Sequence, residues 1–272
     1  MVAVRWSDGG ALERFETTSA DGTVLRGVRR PGPGEPVVLV HGVAMDSRVW
    51  VESGFLDALP DADLVAVDLR GRGHSERVRD PARHGIDRHV EDVRAVLDLF
   101  GFERCSAFGV YFGGRTALRV AAADARVSTA YSFCAHAEPV VLPEGAVEEE
   151  ASAIEGPDGL GYLTGHFRRT GAPDWMVRAC GRVDLAELAS VTRGLHHGSE
   201  RGVERLRPGQ RAVLVTAEGD VELPVFEAGV ERIGARLWLV ESPTRVRAAH
   251  RLAEVGARVA EDLAAWAGGV AR

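Results

Sequence analysis

The stretch "SAFGVYFGGRTAL", Ser106 to Leu118, decides how the rest of the chain is read. An apolar run leads to Gly109, Tyr111 stands two residues on, and Gly113 and Gly114 open a segment with helical periodicity. A strand that turns sharply into a helix holds its apex residue in a strained conformation, and the residues two before and two after it must be small. Gly109 and Gly113 meet that requirement and leave Tyr111 at the apex.

Working outward, buried-strand runs alternate with amphipathic stretches. "ERFETTSADGTVLRGVRR" holds two β-rich runs around Ala20-Asp21-Gly22, which predicts a hairpin. "VVLVHG", "LVAVDLRG", "CSAFGV", "VSTAYSFCA", "RAVLVTAEGD" and "ARLWLVES" are short apolar runs of the kind found in strands buried on both faces. "IDRHVEDVRAVLDLFGF" puts Val90, Val93, Val96, Leu97 and Phe100 on one stripe, with Gly101 as its stop. A last helix is expected from Ala248 to Ala267, with Leu252, Val255, Val259, Leu263 and Trp266 facing inward. This alternation predicts an α/β fold with a mostly parallel sheet flanked by helices. Residues 137–206 break the alternation. Their helical pattern lies between two strands, so they are expected to form an inserted cap over the strand C-terminal ends, where open sheets bind ligands. The core is then 1–136 and 207–272, and the cap is 137–206.

Bulk properties restrict function further. The chain has 272 residues and a net charge of -7, which disfavours nucleic acid as a partner because phosphate binding needs a concentrated positive face. Three scattered cysteines, Cys105, Cys134 and Cys180, suggest neither a disulfide framework nor a zinc site. No pair of histidines has metal-ligand spacing, and neither "PGPGE" nor "RGRGHS" sits where a nucleotide phosphate loop would, so no metal and no cofactor are expected. The opening "MVAVRWSDGG" lacks a leader pattern and no apolar run reaches a membrane-spanning length, so a cytoplasmic protein without membrane contact is expected. The expected partner is a small-molecule substrate; oligomeric state leaves no mark in the sequence.

In four segments, in order, the chain resembles the α/β-hydrolase superfamily. "VVLVHGVAMDSRVW" is similar to the family's strand and His-Gly loop, and "VAVDLRGRGHSE" to its Asp-x-Arg-Gly-x-Gly-x-Ser turn. "GVYFGG" is similar to the nucleophile elbow and "LVTAEGD" to the loop that presents the triad acid. The resemblance implies an oxyanion hole made by the backbone N–H groups of Phe112 and Val43, with Gly42 in the same loop beside the substrate. His41 and His74 are then expected to support their loops. Asp220 matches the triad acid, though a loop aspartate equally suits capping of the next turn. Glu218 and Glu222 match that position less well.

Two departures from the family pattern stand out. The elbow serine is Tyr111, whose ring carries the hydroxyl farther from the backbone; its unperturbed phenolate costs about 4 kcal/mol at pH 7. The histidine loop is remodelled. Counting forward from "ARLWLV" puts Arg245 at the histidine place; counting back from the last helix puts His250 near it. An arginine there is no base at neutral pH, but it suits a phenolate or an anionic substrate. His136, just past a strand end, and Trp175 in the cap are candidate substrate contacts. With Trp175, the cap's Tyr162, Phe167 and Met176 suit either an apolar cavity or packing onto the body, and His196 and His197 either a cavity roof or surface.

The catalytic candidates are thus Tyr111, Asp220 and His250, with Val43 and Phe112 as oxyanion donors. Three functions stay open at this point: non-hydrolytic acid–base chemistry on a carbonyl compound (lyase, isomerase, dehydratase or cyclase), hydrolysis through Tyr111, and binding without catalysis. Under the non-hydrolytic and the binding readings, serine-directed fluorophosphonate probes are expected to leave Tyr111 unlabelled. Stoichiometric labelling at Tyr111, read by peptide mass spectrometry, would contradict that expectation.

Overall fold

β-Branched apolar runs too short for helices become strands, and 3.6-period stretches between them cover the two sheet faces. The computed structural model describes residues 3–5 and 11–270. The opening "MVAVRWSDGG" therefore lies mostly outside the described residues, as do the extreme ends of the expected core. The strands are β1 (Ala3–Arg5), β2 (Ala11–Thr18), β3 (Val24–Arg30), β4 (Pro36–Val40), β5 (Asp63–Asp68), β6 (Cys105–Val110), β7 (Val127–Phe133), β8 (Arg211–Ala217) and β9 (Arg236–Val240). The helices are α1 (Val49–Glu52), α2 (Ile86–Phe100), α3 (Phe112–Ala123), α4 (Ala146–Glu155), α5 (Gly159–Thr170), α6 (Asp174–Cys180), α7 (Leu185–Gly194), α8 (Leu223–Ile233), α9 (Arg245–Ala248) and α10 (Leu252–Val270).

Among the described residues these strands form one nine-stranded sheet in the order β1-β2-β3-β5-β4-β6-β7-β8-β9. The pairings β1–β2, β2–β3 and β3–β5 are antiparallel, and those from β5 through β4, β6, β7 and β8 to β9 are parallel. The parallel strands are the near-continuous apolar runs: Val37–Val40, Leu64–Val67 and Cys105–Val110 are buried. On α2 the stripe Val90, Val93, Val96 and Leu97 is buried, and Gly101 closes the helix in the left-handed region at φ 62°.

The Asp-x-Arg-Gly loop ties three segments together. Asp68 accepts the N–H groups of Ser47 (2.7 Å) and His74 (2.9 Å). Fully buried Arg70 pairs with Asp92 on α2 (2.5 Å) and with Asp21 in the β2–β3 turn (2.8 Å). His74 also reaches Asp68 through Nδ1 at 3.2 Å.

Helices α4–α7 lie between β7 and β8. Ala151, Ile154, Leu163, Leu188 and Ala189 form a small apolar core that includes Ala44 of the loop after β4. Trp175, Met176 and Ala179 of α6 join the main core cluster instead. Between α6 and α7, Arg182 bonds Asp46 (Nε to Oδ2, 3.0 Å) and Glu52 (Nη1 to Oε1, 2.9 Å), fastening the insertion to the loop after β4 and to α1. The expected single helix from Ala248 to Ala267 is replaced by α9, a 3₁₀ turn at Ala249–Arg251 and then α10. Thr244 starts the earlier turn, because its Oγ1 accepts the Arg247 N–H and caps α9. Among the described residues no helix is long and apolar enough to cross a membrane.

Burial alone would raise the Asp46 carboxyl; hydrogen bonds from Arg48 and Arg182 outweigh it and hold it at about 2, below 3.8. A depressed carboxyl stabilises the fold above its unfolded value and loses that contribution as pH falls through about 2. Arg182→Gln is therefore expected to cost about 2 kcal/mol in urea unfolding and to move the acid-unfolding midpoint to higher pH. An unchanged midpoint in both measurements would contradict the contact's role.

Candidate functional site

The elbow is built by close backbone approach. Tyr111 sits at φ 53°, ψ −118°, a region that non-glycine residues rarely occupy. A Cβ on Gly109 would fall 2.0 Å from the Gly113 carbonyl oxygen, and one on Gly113 would fall 2.0 Å from the Val40 carbonyl oxygen. Neither position accepts a side chain. The Tyr111 N–H donates to the Phe133 carbonyl at 2.8 Å, which ties the apex to the end of β7.

Phe112 is the first residue of α3, so its N–H has no partner within the helix and lies at the positive end of the helix dipole. The Phe112 ring packs edge-on to His89, with centroids 4.9 Å apart. The facing loop is shaped by buried His41: Nδ1 donates to the Gly42 carbonyl at 2.7 Å and Nε2 accepts the Leu69 N–H at 3.0 Å. Burial and nearby Arg72 lower the His41 pKa to about 4, so it stays neutral in this role. Val43, Ala44 and Met45 line the space in front of the elbow. Gly42 lies behind them, where a Cβ would fall 3.1 Å from Met45 Sδ.

Two chambers meet at the apex. The first, about 320 Å³, is mainly apolar and is roofed by Ile154, Leu163, Phe167, Met176 and Leu188. The second, about 520 Å³, carries Arg115, Cys134, His136, His196 and Glu222. Tyr111, Val43, Glu150, Thr192 and Arg245 line both. Tyr111 Oη donates to the Arg245 carbonyl at 3.2 Å. Burial pushes its pKa well above 10, with Cys134 and Asp220 acting the same way and Arg245 opposing. The phenol is thus a neutral donor, not a ready base or nucleophile.

Arg245, the residue reached by the forward count from β9, lines both chambers. It ion-pairs with Glu222, whose Oε2 lies 3.7 Å from His136 Nε2. His136 Nδ1 accepts from Arg115 Nη2 at 3.4 Å. Burial, then Arg115, lowers the His136 pKa, which keeps the ring neutral at pH 7. His250 is exposed and contacts the carbonyl of Gly171 at 3.1 Å, on the seam with the inserted helices. Asp220 is buried near Tyr111 and Cys134 but turns its carboxylate to Thr216 Oγ1 and to the Glu222 N–H (3.0 Å), capping the turn before α8. No histidine is bonded to it among the described residues. The structure thus gathers Tyr111, Val43, Phe112, His136 and Arg245 around one space, and leaves His250 and Trp175 outside it. Trp175 packs in the core while its neighbour Met176 faces the first chamber.

Among the chamber residues that were not anticipated, two stand beside the apex. Arg115 stands four residues after Tyr111 on α3, a spacing that puts it on the apex face of the helix and was legible in "YFGGR". Cys134, at φ 59° just past β7, donates its thiol to the same Arg245 carbonyl at 3.4 Å. A lone strand-end cysteine carries no sequence signal for that position.

This geometry agrees with the comparisons. Residues 35–152 match the family model for the α/β hydrolase fold. A solved structure of the bottromycin epimerase BotH in complex with bottromycin A2 is 63% identical; the match covers 92% of this chain and 99% of that one, with a TM-score of 0.91. The chain belongs to the α/β-hydrolase fold family. The enol-lactonase from Burkholderia xenovorans LB400 shares the fold at 18% identity, with a TM-score of 0.70 over 95% of this chain and 98% of that one. A fluoroacetate dehalogenase of Burkholderia sp is 32% identical over 114 residues, 40% of this chain and 37% of that protein. Matches to such curated relatives span little more than a third of those proteins' length.

A neutral, buried phenol has a measurable signature. With ring-labelled tyrosine, the Tyr111 Cζ resonance is expected to keep its phenol position through pH 10. Movement to the phenolate position at or below pH 10 would contradict the assigned environment.

Proposed function

We propose that this chain is an epimerase that inverts a stereocentre next to a carbonyl group, without hydrolysis, in a small molecule of the bottromycin kind. The observation that carries this reading is a chamber at the N-terminus of α3 whose lining lacks both parts of an acyl-transfer pair. The apex is a neutral phenol, and the histidine place holds an arginine paired with Glu222. Identity of 63% across nearly all of the bottromycin epimerase BotH supports the same reaction class.

The chemistry follows from the parts. The Val43 and Phe112 N–H groups receive the carbonyl oxygen and acidify the adjacent carbon. That carbon gives up a proton, the oxygen takes the negative charge as an enolate, and a proton returns to the opposite face. No atom is gained or lost. The Tyr111 hydroxyl donates a hydrogen bond to the oxygen or to a neighbouring polar group of the ligand, in exchange for the Arg245 carbonyl. Glu150, Glu222 and His196 are proton-accepting groups on the walls. Helices α4–α7 act as a lid, and an enolate survives only where water is excluded. Hydrolysis with Tyr111 as nucleophile is the weaker reading, because burial works against the phenolate it requires.

The test is incubation with bottromycin A2 in D2O. One deuteron is expected at one stereocentre, with inversion and no cleavage, and Tyr111→Phe is expected to slow the exchange about tenfold. Cleavage products, or binding with no exchange at any stereocentre, would overturn the proposal.

A further inference from the structure

The two chambers that meet at Tyr111 differ in charge. The first is roofed by aliphatic and aromatic side chains. The second holds Arg115, only 7% exposed, one turn beyond the apex on α3. Two of its five N–H donors go to protein acceptors: Nη1 to the Glu138 carbonyl at 2.9 Å and Nη2 to His136 Nδ1 at 3.4 Å. Both acceptors are uncharged. The acids nearby are committed elsewhere, Glu222 to Arg245 and Glu138 to Arg232 at 3.0 Å. Glu150 stands on the exposed rim, where solvent screens it. Among the described residues Arg115 has no ion-pair partner. A guanidinium held this deep against neutral groups is costly unless a counter-charge arrives. Its lowered pKa, about 10, is caused by burial and then by the charge on Arg119, and agrees with that imbalance.

We propose that the second chamber binds a carboxylate of the ligand, with Arg115 as its counter-ion, while the ligand's apolar part fills the first chamber. The Glu138 carbonyl holds Nη1 and His136 holds Nη2, leaving three N–H donors for the paired contact that carboxylates make with arginine. Arg245 at the junction is neutralised by Glu222, so the free positive charge of the chamber is that of Arg115. The ligand then bridges both spaces, with its carbonyl between them at the amide donors. That last placement rests on the epimerase reading; the anion subsite does not.

Hexanoate and hexanamide make a matched probe pair, alike in tail and differing in charge. By calorimetric or NMR titration at pH 7, hexanoate is expected to bind the native protein about tenfold more tightly than hexanamide. Arg115→Met is expected to abolish that difference and Arg115→Lys to keep part of it, with thermal unfolding confirming that both variants fold. Equal affinity for the two probes on the native protein, or discrimination that survives in Arg115→Met, would overturn the proposal. Deuterium exchange with charge-blind binding would sink the subsite alone; charge-dependent binding without exchange would sink the reaction alone.

Discussion

The site depends on one backbone constraint, the left-handed conformation forced on Tyr111 where β6 turns into α3. Two glycines make the turn possible, because the backbone of α3 comes so close to β6 and β4 that any Cβ at Gly109 or Gly113 collides with a carbonyl. The conformation lifts the apex side chain out of the sheet and places Phe112, the first residue of α3, beside the same space. Both results are independent of what the apex side chain is.

What replaced the nucleophile and its partners is consistent in charge. The phenol is buried beside a thiol and a carboxylate, all of which favour the protonated form. The group at the histidine place is a cation fixed by Glu222, so it withdraws no proton. Asp220 has turned from orienting a base to capping a loop. Each of these arrangements is unsuited to a step of acyl transfer. Under the proposed reading, such a scaffold stabilises an enolate without forming an acyl-enzyme.

The fold and the elbow were legible because their signals are local. Apolar runs, glycine spacing and the order of four motifs lie within a few residues of the features they specify. Val43 and Phe112, expected as oxyanion donors, both line the second chamber. The histidine loop was harder. Its position turns on whether Thr244 or a later residue starts the helix, and the Thr244 hydroxyl cap moves the turn forward, so that Arg245 faces the site and His250 faces outward. Asp220 is close in sequence to the expected acid, yet its bonding is decided by Thr216 and the Glu222 amide. Trp175 and Met176 are neighbours on one helix, and which of them meets the cavity depends on how α6 is rotated against the core.

The central claim is that negative charge develops on a ligand oxygen at this site without water being added. Turnover of bottromycin A2 in water labelled with heavy oxygen tests it most directly. The account predicts that the recovered ligand, inverted at one centre, carries no heavy oxygen. Incorporation of the label at a carbonyl, dependent on the protein and lost with Tyr111→Phe, would contradict it.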